Sequence, residues 1–362
     1  MQPVADSLII VGLSGGVDSS VAAWRLLEQG ERVEALFMKN WEEEDRAGYC
    51  AAAEDLADAQ AVADHLGIRL HRVNFSGEYW DQVFSECLLE YRAGRTPNPD
   101  VLCNQRIKFR AFLDHARSLG ASAIATGHYA RIRRDARGIH LCLSRDARKD
   151  QTYFLYRLDQ DQLAASRFPL GTMTKMQVRD LARQIGLPTA EKPDSTGICF
   201  IGERPFRAFL TRYVPEAPGP IETPEGERIG THRGLAYYTL GQRQGLGIGG
   251  IAGAAEAPWF VARKDLSRNA LIVVQGHDHP LLLRRELSAS RWHWIHRPRT
   301  LPLSCSARLR HQQPLQAVQV LSGRGDRCTL RFERPQRAIT PGQSVVVYLG
   351  EECLGGGIIE DD

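Results

Sequence analysis

The sequence lacks any apolar segment long enough to cross a bilayer, and no two of its cysteines are spaced C-x-x-C. A spanning helix needs about 20 apolar residues, whereas the apolar run near the N-terminus covers only residues 8–13 and follows an acidic residue. We therefore expect a cytoplasmic protein without a signal peptide or membrane segment. The spacing of its eight cysteines argues against a zinc ribbon or a locally ligated iron–sulfur cluster, and we predict no metal centre.

Net charge is also low, at +3 for 362 residues, but its distribution is uneven. Residues 1–90 contain 17 Asp and Glu against 6 Lys and Arg, whereas residues 280–337 contain 12 arginines, no lysine and three acids. An arginine-rich segment indicates a surface for phosphate or nucleic acid. An ordinary solvated basic face explains the same charges equally well, so charge alone leaves both interpretations open.

Short apolar strands alternate with amphipathic helices over the first 126 residues, and several helices stop at a glycine. This alternation predicts an α/β fold with a parallel sheet and helices on both faces. Ligands on such sheets bind beyond the carboxyl ends of the strands. The predicted strands are residues 7–13, 33–38, 70–75 and 123–126, and the predicted helices are 18–29, 51–66, 79–91 and 105–119.

Beyond about residue 210 the pattern changes, first to a segment rich in proline and glycine and then to short alternating apolar runs. The alternating runs predict a small C-terminal β-barrel or sandwich. They cover residues 306–309, 316–321, 328–332 and 344–349. We predict three domains, with boundaries at 1–210, 211–279 and 280–362.

A glycine- and serine-rich loop, Ser-Gly-Gly-Val-Asp-Ser-Ser at residues 14–20, lies between the first predicted strand and the first predicted helix. Backbone N–H groups and a helix N-terminus at that place can bind a phosphate. The loop lacks the lysine of the G-x-x-x-x-G-K-[ST] motif and the spacing of G-x-G-x-x-G. It predicts a different kind of phosphate site, with a purely structural glycine turn as the alternative.

Two cysteines lie beside polar, turn-forming residues rather than in apolar runs: Cys103 in segment 94–104 and Cys199 in segment 194–202. Segment 94–104 is predicted to be a loop just ahead of a helix, where cations and a helix N-terminus lower a thiol pKa. Either cysteine is compatible with a small buried apolar residue instead. Asp100 follows Asn98 and Pro99 in this segment and is a candidate for proton transfer. The alternative is an aspartate that only stabilises a turn.

The loop at 14–20 is similar to that of the PP-loop ATP pyrophosphatases, and the two cysteine segments narrow the resemblance. Together with four further motifs, they resemble the bacterial tRNA-specific 2-thiouridylase family from the first strand to the last residues. The further motifs are Thr-Gly-His-Tyr at 126–129, Lys-Asp-Gln-Thr-Tyr-Phe at 149–154, Leu-Gly-Gln-Arg at 240–243 and Cys-Leu-Gly-Gly-Gly-Ile-Ile at 353–359. The resemblance implies a PP-loop catalytic domain, a central linker or tRNA-binding domain, and a C-terminal β-barrel.

The chemistry that the resemblance implies has two halves. ATP with Mg²⁺ adenylates the C2 oxygen of the wobble uridine in tRNA, and a persulfide sulfur then displaces AMP to give 2-thiouridine. Cys199 would carry the persulfide, and Cys103 would be the nucleophile that releases the sulfur, leaving a disulfide between the two. Asp100 would act as the acid or base near the uridine.

The resemblance also implies further binding residues. The ATP site would be formed by Gly12, Leu13, Ser14, Gly15, Gly16, Val17, Asp18, Ser19, Met38 and Gly127. Contacts to tRNA would come from Asn98, Pro99, Asp100, His128, Lys149, Asp150, Gln151, Arg310, His311 and Gln343. At position 311 the family often has tyrosine, so His311 is a departure that puts a stacking role there in doubt.

The expected partners are tRNAs with a wobble uridine, of the Lys, Glu and Gln acceptors, and a sulfur-relay protein or cysteine desulfurase that donates the persulfide. Two alternatives fit the loop alone. One is a PP-loop ligase that adenylates a small metabolite and admits ammonia. The other is an RNA-binding protein whose affinity ATP switches. Neither alternative accounts for the two cysteine segments.

Overall fold

The computed structural model of the protein describes residues 7–42, 51–194, 206–249, 257–298 and 300–361. These residues form three sheets with helices packed mainly on the first. None of the helices among them is both long and apolar enough to serve as a membrane span.

The first sheet is parallel, with strand order β3-β2-β1-β4-β7. Its central strand β1 is buried along its whole length, as a strand with helices on both faces must be. The strands are β1 (Ile9–Gly12), β2 (Val33–Lys39), β3 (Leu70–Asn74), β4 (Ala123–Ala125) and the two-residue β7 (Ser166–Arg167). The predicted α/β fold class and the four predicted strands are confirmed.

Successive residues of β1 point to opposite faces of the sheet, and each face has its own core. Ile10 joins one apolar cluster, whereas Ile9 and Val11 join the other. Helices therefore cover both faces, as predicted. They are α1 (Val17–Glu28), α2 (Ala51–Leu66), α3 (Ser76–Tyr79), α4 (Ser85–Arg92), α5 (Pro99–Cys103), α6 (Phe112–Ser118), α7 (Thr152–Leu155), α8 (Gln160–Ala164), α9 (Lys175–Gln184) and α10 (Phe206–Leu210).

Two of these helices extend further than the sequence predicts because π-helical segments join their parts: Trp80–Phe84 joins α3 to α4, and Asn104–Ala111 joins α5 to α6. The prediction of a loop through residue 104 was wrong. The helix begins at Pro99, where the Asn98 side chain accepts a hydrogen bond from the Asp100 N–H and proline occupies the first turn. Asparagine followed by proline is a helix start signal.

The second sheet has strand order β10-β11-β8-β9 and surrounds a small core. It is formed by β8 (Gly219–Glu222), β9 (Arg228–His232), β10 (Trp259–Asp265) and β11 (Ala270–Gln275), with a 3-10 turn at Leu235–Tyr237.

The third sheet closes into a six-stranded barrel because β12 pairs with both β15 and β17. Its strands are β12 (Leu283–Trp294), β13 (Leu303–Arg308), β14 (Gln316–Arg324), β15 (Arg327–Arg337), β16 (Ser344–Leu349) and β17 (Glu352–Ile359), preceded by a 3-10 turn at Pro280–Leu282. A hairpin of β5 (Arg131–Asp135) and β6 (Gly138–Cys142) also pairs with β17. The predicted C-terminal barrel is confirmed, whereas its continuation into the N-terminal half was not predicted.

Candidate active site

The phosphate loop, residues 14–20, connects the carboxyl end of β1 to the start of α1, where the sequence places it. Its serine hydroxyl groups form hydrogen bonds within the loop. The Ser14 N–H donates to Ser19 Oγ at 3.2 Å, while the Ser19 and Ser20 hydroxyls both donate to the Gly16 carbonyl at 3.0 and 2.9 Å. The loop is therefore held in one conformation at a helix N-terminus, the arrangement that binds phosphate.

Two glycines at this loop, Gly15 and Gly12, lie where a side chain would be too close to its neighbours. Gly15 has a φ of +74°, and a Cβ there would lie 2.5 Å from the Asp55 carbonyl oxygen. A Cβ on Gly12 would lie 3.2 Å from Cε of Met38. The structure thus brings together the loop, Gly12, Met38 and Gly127 of the predicted ATP site. Leu13 and Val17 point their side chains into the core, which leaves only their backbone for a ligand.

Gly127 supplies a direct test of this packing. We expect Gly127→Ala to weaken ATP binding about tenfold or more, because the added Cβ would lie 2.7 Å from the Ser19 backbone nitrogen and push the loop aside. The dissociation constant for ATP, measured by calorimetry, checks this. Gly77→Ala is the control, since its Cβ would meet nothing within 4 Å. Equal ATP affinity in both variants would contradict the prediction.

Asp18 in the first turn of α1 has partners that the sequence did not predict. Its Oδ1 accepts hydrogen bonds from the Tyr129 hydroxyl at 2.8 Å and from Lys175 Nζ at 2.7 Å. Burial, with the nearby charge of Asp18, raises the pKa of Tyr129, so this hydroxyl stays protonated and remains a donor. The carboxylate of the phosphate loop is therefore both oriented and neutralised.

Lys175 also pairs with Asp194, and this carboxylate forms ion pairs with three cations. Asp194 Oδ1 lies 2.7 Å from Lys175 Nζ and 2.6 Å from Arg179 Nη2, and its Oδ2 lies 2.7 Å from Lys149 Nζ. Burial opposes ionisation of Asp194, but the hydrogen bonds from Lys149 and Lys175 outweigh it and hold its pKa well below the ordinary value. Lys149, a predicted tRNA contact, is thus engaged at the edge of the phosphate-loop region.

Cys103 is the last residue of α5, and its side chain is only 1% exposed. The helical run that carries it continues to Phe112, whose ring would meet a Cβ on Gly12 at 3.3 Å. One continuous helix therefore extends from the predicted nucleophile to the predicted ATP site. Cys199, with residues 195–205, lies outside the described residues.

The segment before Cys103 is held by the two C-terminal sheets. Gln343 Nε2 donates to the Thr96 carbonyl at 2.8 Å, and the Thr96 N–H donates to the Pro341 carbonyl at 3.0 Å. From the second sheet, Lys264 Nζ donates to the Gly94 carbonyl at 2.7 Å. The structure thus places Gln343 beside the predicted base-contacting residues 98–100.

Lys264 gives a stability prediction with a defined pH window. Burial lowers its pKa to about 8, whereas an unfolded lysine titrates near 10.4. Between these values the folded chain binds fewer protons than the unfolded chain, so the contribution of Lys264 to stability increases as pH rises. We compare the unfolding free energy of wild type with that of Lys264→Met at two pH values. The difference, wild type minus variant, should increase by about 1–2 kcal/mol between pH 7 and pH 9.5. Thermal unfolding at both pH values checks this, and parallel pH profiles would contradict it.

His311 is partly buried where the barrel contacts residues 150–154. Its ring lies 4.4 Å from that of Phe154, and its Nε2 donates to the Asp150 carbonyl at 2.8 Å. Burial lowers the pKa of His311 despite the opposing charges of Asp150 and Asp100. A neutral imidazole thus joins the barrel to the segment after residue 149.

Asp150 has a buried carboxylate whose bonds are internal. It accepts hydrogen bonds from the Thr152 hydroxyl at 2.6 Å, from the Ser144 N–H at 2.7 Å and from Arg308 Nη1 at 2.8 Å. Arg308 belongs to the arginine-rich segment but is only 7% exposed. This pair therefore connects the N-terminal half to the barrel, and the RNA-binding interpretation of the segment does not extend to Arg308.

The remaining predicted tRNA contacts lie at different depths. His128 is buried, hydrogen-bonded to Thr126 at 2.8 Å, and burial lowers its pKa well below the ordinary value. Gln151 Oε1 accepts the Tyr129 N–H at 2.9 Å. Arg310 is exposed and donates to a carbonyl of the barrel at 2.9 Å. Their contacts with RNA stay predictions.

Within the described residues, one group of three side chains has ligand atoms close enough for a metal: His140, His296 and Glu352. The two imidazole rings are stacked, with centroids 4.3 Å apart and planes 20° apart. Nitrogen lone pairs lie in the ring plane, so those of stacked rings run side by side and do not converge on one ion. We assign no metal site here.

Three family models match consecutive parts of the chain. The tRNA methyl transferase HUP domain matches residues 7–203, the tRNA methyl transferase PRC-barrel domain matches 207–275, and the aminomethyltransferase beta-barrel domain matches 284–359. Among curated proteins, the tRNA-specific 2-thiouridylase MnmA of Alkalilimnicola ehrlichii is 60% identical over 354 residues, which are 97% of each chain. The chain belongs to the tRNA-specific 2-thiouridylase family.

A second 2-thiouridylase, MnmA of Methylobacillus flagellatus, is 58% identical over 97% of this chain and 98% of its own. The solved complex of a 4-thiouridine synthetase with RNA and ATP is 20% identical over 58% of this chain and 50% of that chain. Its TM-score of 0.35 is too low to support an argument. The family resemblance inferred from the seven sequence motifs is confirmed, and so is the ATP-binding class of the N-terminal domain.

Four residues that the structure places at or near Asp18 of the phosphate loop were not predicted as site residues from the sequence: Tyr129, Lys175, Arg179 and Asp194. Two of them had a sequence signal, since Tyr129 ends the 126–129 motif and Asp194 begins the second cysteine segment. Lys175 and Arg179 lie in an ordinary amphipathic helix, where nothing distinguishes them from surface cations.

Proposed function

We propose that this protein is a tRNA-uridine 2-sulfurtransferase that consumes ATP to convert the wobble uridine of tRNA into 2-thiouridine. The observation that carries the proposal is identity of 60% with a named 2-thiouridylase across 97% of both chains. The loop at 14–20, Cys103 and Cys199 are all present in the sequence. The proposed setting is the cytoplasm, with Mg²⁺ accompanying ATP.

In the first half-reaction, the C2 oxygen of the uridine attacks the α-phosphate of ATP, and pyrophosphate leaves. The N–H groups of the phosphate loop and the N-terminus of α1 stabilise the phosphates. Asp18, with a third of its side chain exposed, is the carboxylate of this loop that can meet Mg²⁺. We place Asp100, in the first turn of α5, beside the uridine. Its carboxylate acts there as the acid or base for proton transfer.

In the second half-reaction, the Cys103 thiolate attacks the inner sulfur of a Cys199 persulfide. A sulfur–sulfur bond forms between the two cysteines, hydrosulfide is released, and it displaces AMP from C2. A dithiol then reduces the disulfide, and a sulfur-relay protein or cysteine desulfurase reloads Cys199. Because the Cys103 side chain is 1% exposed, this step requires a conformation in which the thiol meets Cys199.

RNA binding is assigned to the contact between the barrel and segment 94–98. Gln343 fixes the backbone of Thr96 at this contact, and Arg310 is an exposed arginine that follows strand β13 of the same barrel. Arginine forks hydrogen-bond phosphate and stack on unpaired bases. Moving the wobble base out of its stack costs a few kcal/mol, which contacts to the RNA backbone offset.

A thiolation assay tests the proposal. Purified protein, ATP with Mg²⁺, a persulfide source and an unmodified tRNA transcript are incubated, and a mercury-containing gel separates thiolated RNA. We expect a retarded band that requires ATP and is absent with Cys199→Ser. A transcript with cytidine at the wobble position and a Cys305→Ser enzyme are the controls.

Two outcomes would overturn it. AMP formed on another acceptor without a retarded band would favour the PP-loop ligase. ATP binding that changes RNA affinity without AMP formation would favour the ATP-switched RNA-binding protein.

A further inference from the structure

The phosphate loop contains no basic residue between positions 14 and 20, yet ATP brings several negative charges to it. In the G-x-x-x-x-G-K-[ST] loop, the lysine of the motif reaches the outer phosphates. Here the structure places a lysine from elsewhere in the chain at the loop. Lys175 Nζ lies 2.7 Å from Asp18 Oδ1, and its side chain is only 13% exposed.

Lys175 is the first residue of α9, and this helix start is firmly built. Thr174 and Gln177 form a capping box, and the Lys175 N–H donates to Asp146 Oδ2 at 2.9 Å. Asp18 lies in the first turn of α1, so the contact between Lys175 and Asp18 joins the first turns of two helices that pack against each other. The N-terminus of α1 carries a partial positive charge, which favours an anion at the loop.

Lys175 belongs to a network of ion pairs at the loop. Among the described residues, Asp18 and Asp194 pair with three cations, Lys149, Lys175 and Arg179, and a third carboxylate, Asp146, accepts the Lys175 N–H. Lys175 is the cation shared by Asp18 and Asp194. Asp194 fixes it at 2.7 Å, so the ammonium group is positioned before any ligand arrives.

We propose that Lys175 is the phosphate-binding cation of this enzyme and contacts the β- and γ-phosphates of ATP. The inference rests on the proposed function and adds a substrate-contacting residue to its first half-reaction. When the uridine oxygen bonds to the α-phosphorus, the bond from that phosphorus to the bridging oxygen breaks, and pyrophosphate leaves with the electron pair. Lys175 neutralises the charge that accumulates on this leaving group.

Binding measurements on Lys175→Met test the assignment, because AMP lacks the phosphates in question. We expect the variant to bind ATP about 10- to 100-fold more weakly than wild type and AMP within about twofold. Lys175→Arg should recover most of the ATP affinity. Lys192→Met is the matched control, since this lysine pairs with Asp55 and Asp58 of α2.

Three results would overturn the assignment: unchanged ATP affinity in Lys175→Met, equal losses for ATP and AMP, or the same loss in Lys192→Met. The last two would indicate that disturbed packing, not a phosphate contact, lowers affinity. All of these measurements use nucleotide alone. Failure of the thiolation assay with wild type would therefore overturn the proposed function without deciding the role of Lys175.

Discussion

Replacement of Cys103 by serine is expected to reduce 2-thiouridine formation about 10³-fold or more, while ATP-dependent release of pyrophosphate on tRNA persists in the first turnover. A hydroxyl is not ionised at neutral pH and cannot form the disulfide that frees the sulfur. In the proposed reaction adenylation depends on the phosphate loop, and the helix that carries Cys103 continues to Phe112, near Gly12. The mercury gel measures the first quantity, and release of labelled pyrophosphate measures the second.

Cys87 provides the matched control for this variant. It belongs to the same apolar core as Cys103 and is 2% exposed, and burial raises its pKa to about 12. Cys87→Ser disturbs the same core without removing a nucleophile, so we expect thiolation within about threefold of wild type. Equal losses in both variants would show that packing, not nucleophilicity, explains the effect. Full activity of Cys103→Ser would remove the cysteine from the proposed chemistry.

Elements with local signals were predicted well from the sequence. The glycines after α1 and α2, Gly30 and Gly67, have φ of +78° and +65°, the left-handed conformation that ends a helix. The apolar run at 344–349 corresponds to β16, whose residues 344–348 are all buried. Each of these features is decided by neighbours within a few residues, so composition and periodicity suffice.

Elements specified by distant packing were not predicted. Strand β17 contains three consecutive glycines, which are poor strand formers, but a Cβ on Gly355 would lie 2.1 Å from the His293 carbonyl oxygen. The glycines of β17 therefore allow close contact with β12, although they do not favour a strand conformation. The β5–β6 hairpin joins this strand across more than 200 residues of chain, and no local pattern encodes that pairing.

The candidate site likewise contains residues that have a local sequence signal and residues that are brought in from distant positions. The phosphate loop was found because its residues are contiguous and follow a strand. Lys175 was not, since it contacts Asp18 from 157 positions away and its own helix has an ordinary amphipathic pattern. Cys103 was identified as a candidate, but its burial was not predicted because the Asn-Pro helix start before it was interpreted as part of a loop.

Arg308 belongs to the arginine-rich segment that the sequence associates with nucleic acid, but the structure buries it. Its replacement is expected to have the largest effect on stability. Arg308→Met leaves the carboxylate of Asp150, which is 1% exposed, without its cation in the interior. Removing one partner of a buried pair costs about 3–5 kcal/mol. The guanidinium also lies 5.5 Å from the centre of the Tyr348 ring, a contact that methionine replaces only as apolar packing. Thermal unfolding and urea unfolding measure the loss.

The double variant Arg308→Met/Asp150→Asn separates the pair from its surroundings. Asparagine keeps an oxygen for the Ser144 N–H, 2.7 Å from Asp150 Oδ2 in the wild type, but carries no charge. We therefore expect the double variant to be more stable than Arg308→Met alone. Arg331→Met removes an exposed arginine paired with Glu286 at 2.7 Å and should cost at most about 1 kcal/mol. If Arg308→Met instead kept its stability and lowered the salt dependence of tRNA binding, Arg308 would contact RNA phosphate, and the internal pairing with Asp150 would not be its main role.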